Sequence, residues 1–91
     1  MVPVESESLL LQRARDALAK DPARALAIVE RHRARYPRGM LSQEREVLAL
    51  KALTALGRPA DARTRAAAFV TAYPSSAYRD RVESLARPEP R

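Results

Sequence analysis

The sequence has no cysteine and no tryptophan, two glycines, and only four aromatic residues in 91. Without cysteine there is no disulfide framework, no thiolate metal site, no cysteine nucleophile and no lipid-anchored cysteine within this stretch. A cysteine-free domain is stable on either side of a membrane, so the compartment stays open. With so few aromatics, leucine and alanine must fill the interior, which suits helices packed closely through small side chains. No apolar run approaches the ~20 residues needed to cross a bilayer. Met1–Ser8 also lacks the basic start and apolar core of a signal peptide. Both glycines, Gly39 and Gly57, stand where helices are expected to end, so no glycine-rich phosphate loop is present.

A chain of this length makes one small domain, burying only about 60–65 % of its unfolded surface. Its charge is +6, and fifteen of the seventeen basic residues are arginine, beside abundant alanine. That bias is what a GC-rich genome writes regardless of function. Basic charge also attracts nucleic acid or acidic surfaces, so composition alone leaves both readings open.

Proline and glycine punctuate the chain. Pro3 precedes a first helix, Asp21-Pro22 breaks it, and Tyr36-Pro37-Arg38-Gly39 ends a second. Gly57-Arg58-Pro59 ends a third, Tyr73-Pro74-Ser75-Ser76 a fourth, and Arg87-Pro88-Glu89-Pro90 a fifth. Asp21 is placed to cap a helix beginning at Pro22, and Pro59 opens the fourth helix in the same way, where a missing N–H costs nothing. Gly57 supplies a left-handed helix end, and Ser75 or Ser76 can cap the fifth helix. The apolar residues recur at helical spacing throughout. Leu10 or Leu11, Ala14, Ala17 and Leu18 line the first helix, and Ala25, Val29, His32 and Tyr36 the second, with Ile28 beside them. Val47, Leu48, Ala49, Ala52, Leu53 and Leu56 give the third a broader face. Ala62, Ala66, Phe69 and Tyr73 line the fourth, and Tyr78, Val82 and Leu85 the fifth. Nothing reads as a strand.

The second half repeats the first at an offset of 37: Pro22 falls on Pro59, Ala25 on Ala62, Tyr36 on Tyr73 and Pro37 on Pro74. The stripe 25, 29, 32, 36 falls on 62, 66, 69, 73 without a gap, whereas the first and third helices are expected to need a one-residue adjustment before the turn. A period in the mid-thirties built from two helices points to stacked hairpins. One hairpin cannot bury its apolar face alone, so neighbours stack. The expected fold is all-α: repeat one over about 5–37, repeat two over about 40–74, a capping helix over about 76–86, and a tail over 87–91, all in one domain.

The second helices resemble the tetratricopeptide pattern, with a small residue at the hairpin crossing (Ala25, Ala62) and proline twelve residues later (Pro37, Pro74). Phe69-Val70-Thr71-Ala72-Tyr73-Pro74-Ser75-Ser76 and His32-Arg33-Ala34-Arg35-Tyr36-Pro37 resemble the F-x-x-x-Y-P-x-S ending common in bacterial envelope tetratricopeptide proteins, such as outer-membrane assembly lipoproteins and the Tol–Pal coordinator. Leu9–Leu85 also resembles C-terminal helical-repeat modules of GC-rich bacteria, some attached to membrane-anchored regulators. The first helices lack the family's usual Trp and Gly. The resemblance implies an α-solenoid of two hairpins and a capping helix. It further implies a non-enzymatic protein-interaction or scaffold module within a larger bacterial envelope or regulatory protein, with a periplasmic or envelope-facing placement favoured over a cytoplasmic one. Its expected partner is a protein or peptide, with no small-molecule substrate, no cofactor, no metal and no membrane insertion of this chain; a homo-oligomer is a further option. By the family's spacing, Gln12, Asp16, Leu50 and Thr54 on the first helices face the peptide-holding groove. The Lys/Asn clamp with which some relatives hold C-terminal carboxylates is not reproduced there.

The remaining candidates come from the residues themselves. Arg24, Arg31, Arg35 and Arg38 fall at i, i+7, i+11 and i+14, along one side of helix two, as a strip for an acidic partner or phosphates, or as solvated stems covering the core edge. Single-strand binders pair such charge with stacking aromatics, and none is interleaved here. His32, the only histidine, is expected to pack on the core stripe with its polar nitrogen reaching water. Tyr36 and Tyr73 read as hairpin-closing residues. No catalytic constellation emerges: Glu44 and Glu46 are two apart on one helix and diverge, and Glu5 and Glu7 lie in an expected fraying start.

Overall fold

The computed structural model describes residues 5–87. Among them are five helices and no strand: α1 (Glu7–Ala17), α2 (Pro22–Arg35), α3 (Ser42–Ala55), α4 (Pro59–Ala72) and α5 (Arg79–Ala86). The expected boundaries at Pro3 and at Pro88–Pro90, and most of the 87–91 tail, lie outside the described residues. No helix among the described residues is long and apolar enough to cross a membrane.

Local chemistry explains the helix ends. Ser6 Oγ accepts the Leu9 N–H and Asp21 Oδ1 the Arg24 N–H, each satisfying an otherwise orphaned first-turn donor. Pro22 and Pro59 each hold the first helical position. Gly57 is left-handed at φ 67°, and the Arg58 and Gly57 N–H groups return to Leu53 O and Thr54 O, closing α3 in a Schellman motif. Ser76 Oγ accepts the Tyr78 N–H in the turn before α5, whereas Tyr78, the N-cap itself, provides no side-chain cap.

Each helix packs on the next, and α3 also touches both α1 and α5, while the backbones of α2 and α4 stay apart. One core cluster, built on Leu11, Ala14, Val29, Leu48 and Ala49, joins the first three helices. A second, with Val47, Leu50, Leu53, Ala62, Ala66, Phe69 and Val82, joins the last three. Facing both explains the broad apolar surface of α3. Each large aliphatic side chain fully buried there contributes about 1.5–3 kcal/mol before the entropy of ordering is counted.

The 37-residue offset is visible in the backbone. α2 and α4 have matching bounds, and Tyr36 and Tyr73 end them at φ/ψ −130/60° and −132/64°. The bonds Gly39 N–H to Tyr36 O, Ser42 N–H to Gly39 O and Arg45 N–H to Leu41 O recur as Ser76 to Tyr73, Arg79 to Ser76 and Val82 to Tyr78. The register therefore runs unbroken from Pro22/Pro59 to Arg45/Val82. The one-residue adjustment expected before the hairpin turn is not needed: Lys20 N–H to Ala17 O and Gly57 N–H to Thr54 O keep the same offset. What differs is the closing bond, Asp21 N–H to Ala17 O against Arg58 N–H to Leu53 O, because only the second turn has a left-handed glycine.

Candidate functional site

Because α2 and α4 diverge above α3, a cleft of about 610 Å³ opens between them. Leu26, Leu53, Phe69 and Tyr73 supply its apolar lining, with Arg33, Arg58 and Asp61 at its edges. A chain of paired charges crosses it. Arg65 Nε and Nη2 grip Glu46 in a two-pronged contact of 2.7 and 3.0 Å, and Arg65 Nη1 reaches Glu30 at 2.5 Å. Arg45 Nε donates to Glu46 Oε2 at 2.8 Å. Burial by itself would raise the Glu46 carboxyl, but the hydrogen bonds from Arg65 and Arg45 outweigh it and hold the group below its ordinary range. Burial disfavours the Arg65 cation, and its bonds to Glu46 more than compensate, so its pKa is raised. The cleft's central charges are thus engaged with one another, which fixes side-chain positions rather than poising a free base or nucleophile.

The chain of contacts continues into the first hairpin. His32 is fully buried, with Nε2 3.1 Å from Glu7 Oε1 and Nδ1 3.5 Å from Arg45 Nη1. Its expected contact with water is replaced by these two groups, because the start of α1 covers the position. A neutral ring donating from Nε2 and accepting at Nδ1 satisfies both neighbours. Burial pulls the imidazole pKa below its ordinary value, the nearby Arg45 charge adds to this, and the Glu7 hydrogen bond opposes it. Glu7 Oε1 also accepts the Leu41 N–H at 2.8 Å, and a Cβ at Gly39 would collide with the Glu7 carboxylate. A side chain at position 39 would therefore push the Glu7 carboxylate off its bonds to His32 and Leu41.

The second hairpin replaces this polar set with apolar groups: Phe69 stands where His32 stands, and Val82 where Arg45 stands, each at the 37-residue offset. Glu44 falls on Glu7. It accepts the Tyr78 hydroxyl at 3.0 Å, which raises the Tyr78 pKa, while its Oε2 is buried without a partner. A phenyl ring cannot make the hydrogen bond that His32 makes to Glu7.

The groove residues expected from the family spacing do not form one surface. Leu50 is 0 % exposed within the second core cluster and presents nothing to a partner. This corrects its placement: facing both clusters, α3 turns that side chain inward. Thr54 is exposed and its hydroxyl points to Leu85 O at 3.4 Å, at the α3–α5 contact. Gln12 and Asp16 are exposed and bonded to each other at 2.9 Å.

Of the arginine strip, Arg24 and Arg31 line a groove of about 230 Å³ between α1 and α2. Arg35 lies on the same side of α2 by helical spacing. Arg38 does not continue the line, because α2 ends at Arg35 and Tyr36 leaves helical geometry. The groove also draws in Arg13 from α1 and Glu5, whose carboxylate pairs with Arg13 and, at 2.9 Å, with Arg31. Tyr36 Oη donates to Glu5 O at 2.6 Å. Glu5 and Glu7 are thus tied down, correcting the expectation of a fraying start: apart from Arg13, eight residues on, the partners that hold their carboxylates sit 25 to 34 residues further along the chain. Glu44 and Glu46 diverge as expected, one toward α5 and the other toward α4. Tyr36 and Tyr73 each pack at a tilt against the ring four residues earlier, at 5.6 and 5.1 Å between centroids.

The residues missed by sequence reasoning are Arg45, Arg65, Arg13 and the two early glutamates. The repeat did carry one signal, an arginine at position 45 where the second copy has Val82. Comparison with protein-family models, curated proteins and solved structures finds no match for this chain.

Proposed function

We propose that this chain is a non-enzymatic protein–protein interaction module: a tetratricopeptide-like α-solenoid segment of two hairpins closed by α5, serving as a scaffold within a larger bacterial envelope or regulatory protein. The observation that carries this reading is the recurrence of one hairpin and its following turn at a fixed offset, bond for bond from Tyr36–Arg45 to Tyr73–Val82. Repeated hairpins of this kind build continuous surfaces for partners. The charge pattern supports it too. The central carboxylates and guanidiniums of the α2–α4 cleft are paired with one another, whereas Arg24, Arg33 and Arg35 are exposed and have no ion-pair partner among the described residues. That surplus favours an acidic protein segment as partner.

The test is affinity capture by the full chain, followed by reconstitution with each purified candidate. A saturable complex of fixed stoichiometry in sedimentation, weakened when Arg24, Arg31 and Arg35 are all replaced by glutamate, is the expected result. The rival reading is a basic nucleic-acid module. It predicts tight binding to a short duplex, with log affinity falling by about 0.9 per neutralised phosphate for each unit of log salt. Duplex binding of that kind, without a saturable protein complex, would sink the interaction reading.

A further inference from the structure

The contact between Glu5 and the two arginines is a carboxylate seated in a basic groove, and it is supplied by the chain itself. Glu5 lies ahead of the Ser6 N-cap, outside the helix. Its carboxylate spans from α1 to α2, taking Arg13 on one side and Arg31 on the other. The floor beneath is apolar, formed by Ala27 and Ile28 over the buried Leu10, and Arg24 stands on the same wall as Arg31. Two guanidiniums thus grip one carboxylate, a third, that of Arg24, lines the same groove, and the groove keeps a positive surplus with Glu5 in place.

We propose that this α1–α2 groove is a docking site for an acidic segment of a partner protein, and that Glu5 is an internal stand-in that the partner's carboxylate displaces. The proposal deepens the interaction reading and rests on it. Arg24 and Arg31 are two helical turns apart, which separates their Cα atoms by about 10 Å along the axis. An extended polyproline-II segment brings residues i and i+3 to one side at a spacing of about 9 Å. The matching partner carries two acidic residues three apart with an aliphatic residue between them. One carboxylate takes the place of Glu5 between Arg13 and Arg31, the other meets Arg24, and the aliphatic side chain packs on the half-buried Ile28. The groove's lining has no aromatic face on which an unpaired base could stack, which argues against a single strand, and the carboxylate already seated between Arg13 and Arg31 shows the chemistry that the groove accepts.

Displacement has a definite signature. An internal competitor lowers apparent affinity by the fraction of molecules in which the site is open. Glu5 makes two contacts of the strength of surface ion pairs, so its removal raises affinity by about three- to tenfold. The probe is a short labelled peptide with two glutamates three apart and a leucine between them, titrated by fluorescence anisotropy against the full chain. Glu5→Gln should tighten binding by that factor. Glu83→Gln, which alters net charge equally but lies in α5 paired with Arg79, should leave affinity within about twofold. Arg13→Ala and Arg31→Ala should each weaken binding and cancel the gain from Glu5→Gln.

Equal shifts from Glu5→Gln and Glu83→Gln would overturn the proposal, as would unchanged binding in the arginine variants. In either case a wild-type chain that still binds the peptide leaves the general interaction reading standing. Failure of both wild type and Glu5→Gln to bind the peptide also overturns it, and the capture experiment then decides the broader reading separately. A short DNA duplex that competes with the peptide and gains equally from Glu5→Gln would reassign the groove to phosphate.

Discussion

Glu46→Gln removes one negative charge from between two arginines and leaves the side chain's size unchanged. The Glu46 side chain is 12 % exposed, that of Arg45 7 % and that of Arg65 15 %. Stripping one partner from a buried pair costs about 3–5 kcal/mol, because a desolvated charge is left uncompensated. Two features lower that figure here. Arg65 retains Glu30, on the exposed side of the cleft, and the amide oxygen still accepts one of the former donors. The expected loss is therefore about 2–3 kcal/mol. Total stability for a domain of this size is about 5–14 kcal/mol, so the variant stays folded and measurable.

Urea unfolding followed by the helical circular-dichroism signal is the assay. With m near 1 kcal/mol/M, the midpoint should fall by about 2–3 M with the slope unchanged. The melting temperature should drop by about 8–20 °C. Glu83→Gln breaks an exposed pair on α5 and should cost less than about 0.5 kcal/mol. The acid side carries its own sign. The folded-state pKa of Glu46 is depressed, so its contribution is present above the ordinary carboxyl value and is lost as pH falls through the folded one. The variant should lack that part of the acid destabilisation. A loss under about 0.5 kcal/mol, or one matched by Glu83→Gln, would refute the claim that this carboxylate organises the cleft.

Further perturbations test the rest of the scaffold. Leu50→Ala should cost about 2–5 kcal/mol in urea unfolding, since the side chain is wholly buried among Val47, Phe69 and Val82; a cost below about 0.5 kcal/mol, the range of surface substitutions, would put that residue back on a surface. Gly57→Ala should cost about 1–2 kcal/mol purely through its backbone, because no atom lies within 4 Å of the added methyl yet φ is 67°; an unchanged midpoint would rule out the Schellman closure. His32 faces Glu7 from α1, Tyr36 on its own helix, and Arg45 with Glu46 from α3. Its folded pKa lies below the ordinary value, so its contribution is full above that value and is lost as pH falls toward the folded one. Melting temperature should therefore fall from about pH 7.5 to about pH 5.5, and His32→Phe, which copies the second repeat, should flatten that slope; identical slopes in both proteins would remove His32 as the source.

What the chain determined locally was read directly from it. Proline, glycine and the capping Asp21 set the helix limits through backbone chemistry that acts within a few residues. The stripes at Ala25, Val29 and His32, and at Ala62, Ala66 and Phe69, followed from the helical period and are buried as expected. Legibility ended where side chains meet across helices. Nothing in local spacing shows that Glu7 reaches His32 and Leu41, that Arg65 bridges Glu46 and Glu30, or that Glu5 bridges Arg13 and Arg31, because those partners come from 8 to 35 residues away. Leu50 is decided in the same way: helical spacing sets its angle on α3, but only packing against α4 and α5 makes that side interior. Secondary structure here is written in short-range sterics and hydrogen bonding, and the charged clusters are set by long-range pairing that only the packed helices bring into contact.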